Sequence, residues 1–192
     1  MQKFKPSGPA ILMYSLILLG LILSAVCFTK YYLLKSDNNL VLWIGVVSFM
    51  IVYHLWLRII MGNVTKLFKL DYNSYWYKEK SFEKNIYKFL RVKQWKGKAL
   101  TYNPELFSIK NYTPHQIALT MTKAETDHWI NLVISLVSIL FSLVWGEAWI
   151  FILTAVLAIA FDSQFILIQR FNRPRVLKLI EKKKSKIKQY TI

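Results

Sequence analysis

The feature that most constrains this chain is a run of twenty residues, from Pro9 to Phe28, without one charged side chain. At about 1.5 Å of rise per residue, a helix of that length crosses a hydrocarbon core of about 30 Å, where each backbone polar group must be satisfied internally. Stretches at about 40–62, 129–145 and 148–168 are similarly apolar. The expected fold is an all-α integral membrane protein with four transmembrane helices and cytoplasmic interfacial amphipathic helices, residues 1–192 forming a single membrane domain. With 55% hydrophobic and 16% aromatic residues, the chain is too apolar for an ordinary soluble domain. The polar connection Lys35-Ser36-Asp37-Asn38-Asn39 makes an antiparallel hairpin of the first two spans, and Gly146-Glu147 is a tight turn between the last two.

A formal charge of +16 raises the question of nucleic acid. The basic residues, however, lie beside apolar spans, where anionic head groups and the positive-inside rule account for them, so a membrane lipid surface is expected and a nucleic-acid partner is not. The stretch from Asn63 to Asp127 carries 12 Lys and Arg and the tail from Gln169 carries 9, whereas the two short connections together hold only Lys30 and Lys35. Both termini and the long segment 63–128 are therefore expected in the cytoplasm, with the protein multi-pass in the cell membrane and a short basic lead, Lys3 and Lys5, before the first span. Cys27, the only cysteine, cannot form an intrachain disulfide and gives no reason to expect redox or thiolate-metal chemistry.

The long segment is rich in aromatic and aliphatic residues and must lie on something apolar. From Lys80 to Lys93, Phe82, Ile86, Phe89 and Leu90 recur at helical spacing while Lys80, Lys84, Lys88 and Arg91 point elsewhere, which predicts a basic amphipathic helix in the inner-leaflet interface. Asn103-Pro104 and Thr113-Pro114 read as turns, and Arg173-Pro174-Arg175 as the end of the fourth helix. Leu177, Ile180 and Ile187 in the lysine-rich tail suggest that it hugs the same surface.

Three groups could carry chemistry at the cytoplasmic boundary. Glu125 and His128 are three residues apart, about 60° on a helix, and could act as an acid-base couple if the third helix begins a turn early. The alternative is a helix start favoured by Glu125 and Asp127, with Trp129 in the interface belt. Gln169-Arg170-Phe171-Asn172-Arg173-Pro174-Arg175 supplies guanidinium and amide donors for a developing oxyanion, and Trp95-Lys96 stands nearby; ordinary positive-inside retention is the competing account of the arginines. His54 and Asp162 lie inside spans two and four at comparable depth and could form an intramembrane polar pair, functional or structural. There is no glycine-rich phosphate loop, serine-nucleophile elbow or metal-ligand cluster in the sequence, so no metal is expected.

Lys93-Gln94-Trp95-Lys96, then Thr122-Lys123-Ala124-Glu125-Thr126-Asp127-His128-Trp129, then Gln169-Arg170-Phe171-Asn172-Arg173-Pro174-Arg175 resemble, in order and approximate spacing, the glycosyl-4,4'-diaponeurosporenoate acyltransferase family. The resemblance covers roughly Glu83 to Leu177, with Phe171 standing where the family usually has Tyr. It implies a membrane enzyme that esterifies a fatty acyl chain onto a sugar hydroxyl of a glycosylated carotenoid.

The combined reading is an O-acyltransferase acting on a glycosylated carotenoid or similar glycolipid acceptor. His128 would be general base, Glu125 would orient it, Asn172, Arg173 and Arg175 would hold the donor or the oxyanion, and Trp95 with Lys96 would border the way in from the cytoplasm. An acyl thioester donor, acyl-CoA or acyl-carrier protein, suits the basic face, and no bound cofactor is expected. The rivals are an acyltransferase acting on another lipid or a lipoprotein, and a non-enzymatic membrane scaffold or small transport subunit.

Overall fold

The computed structural model describes residues 8–99 and 104–190. Among them every regular element is helical: α1 (Gly8–Phe28), α2 (Asn39–Val64), α3 (Glu83–Phe89), α4 (Val92–Trp95), α5 (Pro114–Val137), α6 (Ser142–Trp145) and α7 (Ala148–Tyr190), with short 3-10 and π turns between. Four stretches are long and apolar enough to cross a membrane, Gly8–Leu33, Asn39–Leu67, Pro114–Trp145 and Ala148–Lys186. Lys3 and Lys5, Asn103 of the Asn103-Pro104 turn and the side chain of Ile187 lie outside what is described.

α1 and α2 form the expected hairpin, and small residues set how closely they approach. A Cβ on Gly20 would stand 2.7 Å from Val52 Cγ2 and 3.2 Å from the Ser48 carbonyl, and one on Gly45 would stand 3.0 Å from Cys27 Cβ. In lipid, where helices gain little hydrophobic drive from associating, such close packing supplies much of the attraction. Asn38 caps α2, its side chain accepting from the Leu40 amide at 2.9 Å.

α5 begins at Pro114, well before the apolar run that starts near Trp129. Thr113-Pro114 is not a free turn but a helix start. Thr113 accepts from the Gln116 amide, the Gln116 side chain accepts from the Thr113 amide, and Pro114 occupies the first helical position, where its missing N–H costs nothing. Lys123–Trp129 therefore sits in mid-helix rather than at an N-terminus.

After the tight turn at Gly146 (φ 72°) and Glu147 (φ 46°), α7 runs for 43 residues and does not stop at Pro174. At about 1.5 Å per residue it is roughly 65 Å long, so its lysine-rich part projects well beyond a hydrocarbon core as one continuous rod. Pro174 removes one backbone donor, but Asn172 and Arg173 just before it are pinned by side-chain contacts, and Arg175 just after it stands over the Phe171 ring.

The Lys80–Lys93 helix is also divided. Arg91 takes a left-handed conformation (φ 50°), separating α3 from α4. The face that docks on the bundle is Glu83, Tyr87 and Val92, all buried, while Phe82 and Phe89 remain exposed, at 60% and 86%, as apolar side chains available to lipid. α3 is held by polar contacts and offers its hydrophobic residues outward, the reverse of an ordinary soluble amphipathic helix. α5 packs along α7, α2 joins them, and at the α6–α7 end Phe28, Phe49, Phe141, Trp145 and Phe151 close the bundle with aromatic contacts.

Candidate active site

Asp162 on α7 is fully buried and is the point at which three helices meet. Arg58 of α2 ion-pairs with its Oδ2. Nδ1 of His128 on α5 lies 2.8 Å from Oδ1, and Asn131 Nδ2 lies 3.3 Å from the same oxygen. His128 and Asn131 share one α5 face because they are three residues apart, and antiparallel packing brings that face against Asp162. A bare carboxylate is costly inside an apolar span, and these partners offset that cost.

The expected His54–Asp162 pair does not form. Arg58, one turn beyond His54 on α2, takes the position, and its Nη1 donates to the His54 carbonyl at 3.3 Å. Guanidinium reach and full charge favour this arrangement over a neutral imidazole. His54 stays buried, edge-on to Tyr53 at 5.3 Å, with neither ring nitrogen hydrogen-bonded among the described residues.

His128 is held from two sides, by Asp162 and by an aromatic ring. A carboxylate only accepts, so Nδ1 is the donor to Asp162, and in the neutral form of the ring the lone pair then sits on Nε2. Phe165 stacks on the imidazole at 4.7 Å and 9°, fixing the ring plane, and the side chain is 21% exposed.

Glu125 does not orient His128. It is fully buried and turned to α7, where Arg170 Nη1 and Arg173 Nη2 each stand 2.6 Å from its oxygens. Arg170 continues to Glu83 on α3 at 2.6 Å and donates to the Trp76 and Lys78 carbonyls, while Arg173 donates to the Tyr77 and Met121 carbonyls. Tyr87 donates to Glu83 at 2.8 Å, and burial together with that carboxylate pushes its hydroxyl well above the usual range. Two carboxylates balance two guanidiniums, so the cluster is neutral, and it fastens the interfacial segment to α5 and α7. Arg173, 1% exposed with its Nη groups engaged, is a structural clamp in this structure and does not present a free guanidinium to a substrate.

The other expected binding residues gather farther along α7. Lys96 Nζ donates to Asn172 Oδ1 and lies 4.8 Å from the centre of the Phe171 ring, over which Arg175 also stands, at 4.7 Å. Trp95 donates to the Leu90 carbonyl at 2.8 Å. Lys123 ties α5 to the end of α2 through Asp127, Thr65 and the Gly62 carbonyl. A cavity of about 320 Å³ lined by Trp76, Tyr77, Thr126, Trp129, Ile130 and Val133 lies on the α5 face turned away from His128. No cluster of three potential metal-binding side chains occurs among the described residues.

The sequence reading missed Arg58, Asn131, Glu83 and Phe165. Arg58 had a usable signal: it is the single Lys or Arg in the second apolar stretch, and an intramembrane cation requires a partner. The other three are ordinary residues whose importance comes from what faces them.

Comparison with curated proteins and with solved structures returns no match. The family model for glycosyl-4,4'-diaponeurosporenoate acyltransferase matches residues 73–182, which include His128, Asp162, Glu125, both clamp arginines and the Lys96–Phe171–Arg175 group. With more than half of its length matched, the chain belongs to the glycosyl-4,4'-diaponeurosporenoate acyltransferase family, acyltransferases of carotenoid biosynthesis.

Proposed function

We propose that this enzyme transfers a fatty acyl group from a thioester donor, acyl-CoA or acyl-carrier protein, to a sugar hydroxyl of a glycosylated carotenoid or similar glycolipid, with His128 as general base and Asp162 as its orienting carboxylate. The observation that carries the reading is the 2.8 Å contact between His128 Nδ1 and Asp162, which leaves Nε2 as the basic nitrogen.

In this reading Nε2 takes the proton of the acceptor hydroxyl as its oxygen attacks the thioester carbonyl. The tetrahedral oxyanion collapses, the carbon–sulfur bond breaks, and the thiolate leaves with the proton returned from Nε2. Asp162 stabilises the transient imidazolium without itself being protonated. Arg58, whose Nε has no partner among the described residues, is the cation beside this centre and the candidate oxyanion donor. Glu125, Arg170 and Arg173 position the helices. Asn172 is ten residues from Asp162, roughly 15 Å along the α7 axis, so it and Arg175 suit donor binding rather than the oxyanion.

The membrane is the cell membrane, with both termini and segment 63–128 cytoplasmic, because that is where the excess of Lys and Arg falls. The site then lies about 12 Å below the level of Arg170, accessible to a lipidic acceptor from the bilayer and to an extended donor from the cytoplasm. The test is the rate of acyl transfer by purified His128→Ala: a loss of ~10²–10⁴ is expected. A near-normal rate from a well-folded variant would overturn the assignment.

A further inference from the structure

We infer that the cations gathered around Phe171 form a phosphate site that holds the head of a long-armed thioester donor, an inference that rests on His128 being the reaction centre.

Lys96 and Arg175 come from separate parts of the chain, and each stands over the Phe171 ring. Lys96 Nζ is 4.8 Å and Arg175 Cζ 4.7 Å from the Phe171 centroid, and among the described residues the side-chain acceptor on Lys96 is the neutral amide oxygen of Asn172. Lys93 adds a third positive charge close enough to act on Lys96. Burial, then Arg175, then Lys93, hold the Lys96 ammonium below its usual range. Elsewhere Arg58, Lys123, Arg170 and Arg173 each have a carboxylate, whereas no carboxylate pairs with Lys93, Lys96 or Arg175 among the described residues. Positive charge is thus assembled by tertiary contacts, with no carboxylate beside it among the described residues. An anion with several oxygens offsets that repulsion, accepting from an ammonium and a guanidinium together.

Position separates two sources of phosphate. Phe171 and Arg175 lie nine and thirteen residues from Asp162 on α7, roughly 14–20 Å along the helix axis. In a phospholipid the phosphate and the nearest ester carbonyl are separated by a few bonds of glycerol, so a head group bound here leaves its acyl carbonyl far short of His128. A phosphopantetheine arm separates its phosphate from its thioester by many extended bonds and matches the span. The common chemistry is a phosphate monoester or diester; the spacing selects the pantetheine-borne one.

The test is equilibrium binding to the purified enzyme in detergent, using two donor analogues in which a thioether replaces the thioester: alkyl-coenzyme A and alkyl-pantetheine lacking phosphate. Wild-type enzyme should bind the phosphate-bearing analogue at least ~10-fold more tightly, and added salt should narrow the difference. Lys96→Gln and Arg175→Gln should each remove most of this preference while changing alkyl-pantetheine binding by less than ~2-fold, and Arg175→Lys, which keeps the charge, should retain much of it. Equal binding of both analogues by the wild type would overturn the inference without any variant. So would displacement of alkyl-coenzyme A by a short-chain phosphatidylglycerol that depends on the same two cations, since the site would then be a lipid head-group site. Binding is read without turnover, so failure here is distinct from failure of His128 as base.

Discussion

His128 and Glu125 are one helical turn apart on α5, yet their side chains serve different partners: His128 Nδ1 lies 2.8 Å from Asp162, and Glu125 lies 2.6 Å from each of Arg170 and Arg173. Antiparallel packing produces the division, because each step towards the C-terminus of α5 meets an earlier residue of α7. The histidine–carboxylate contact and the arginine clamp are thereby separated within one turn.

Asp162→Asn should cut acyl transfer by about 10²-fold or more, since an amide can present its NH₂ to Nδ1 and set the wrong tautomer. Glu125→Gln should slow the reaction far less than it weakens the fold. Comparing kcat with the detergent melting temperature for the two variants checks this. Equal kinetic losses from both would restore Glu125 to the catalytic group.

Glu125→Gln leaves Arg173 buried without its counter-charge and is expected to cost about 3–5 kcal/mol of stability. In the double variant Glu125→Gln/Arg173→Met the loss should be smaller than the sum of the single losses, because both act on one pair. A double-mutant cycle on unfolding in mixed micelles measures the coupling. Additive losses would mean that the two residues are independent.

Gly20→Ala should destabilise the α1–α2 hairpin by about 1–3 kcal/mol, because its Cβ meets Val52 at 2.7 Å and the Ser48 backbone oxygen at 3.2 Å. At Gly62, where a Cβ meets nothing within 4 Å, the same change should be neutral or slightly favourable. Thermal unfolding of the two variants side by side gives the comparison, and similar behaviour would refute the close-packed hairpin.

Single cysteines placed at Asn38 and Lys110 in a Cys27→Ser background should react from opposite sides of the membrane, Asn38→Cys from outside intact cells and Lys110→Cys only after permeabilisation. Labelling of Lys110→Cys from outside would invert the topology and move the donor site away from the cytoplasm.

Four spans, two hairpins and the Gly146-Glu147 turn were legible in the residues alone, because hydrocarbon thickness imposes a length on apolar runs and unsatisfied backbone groups exclude alternatives to helices. The start of α5 was also written locally, in Thr113-Pro114 and Gln116, although the polarity of the next turns disguised it as a loop. Pro174 misled in the opposite direction: a local rule places a helix end there, while α7 runs on through it, with tertiary contacts at Asn172 and Arg173 before it and Arg175 packed on Phe171 after it. Candidate chemistry was legible as a set of residue types, His128, Glu125, Asp162 and the arginines, since ionisable groups near an apolar core are costly and therefore few. Their pairing was not. Which carboxylate serves His128, which cation neutralises Asp162 and which cations remain unpaired depend on the register and rotation of α2, α5 and α7, and those follow from packing among residues as far apart as Arg58 and Asp162.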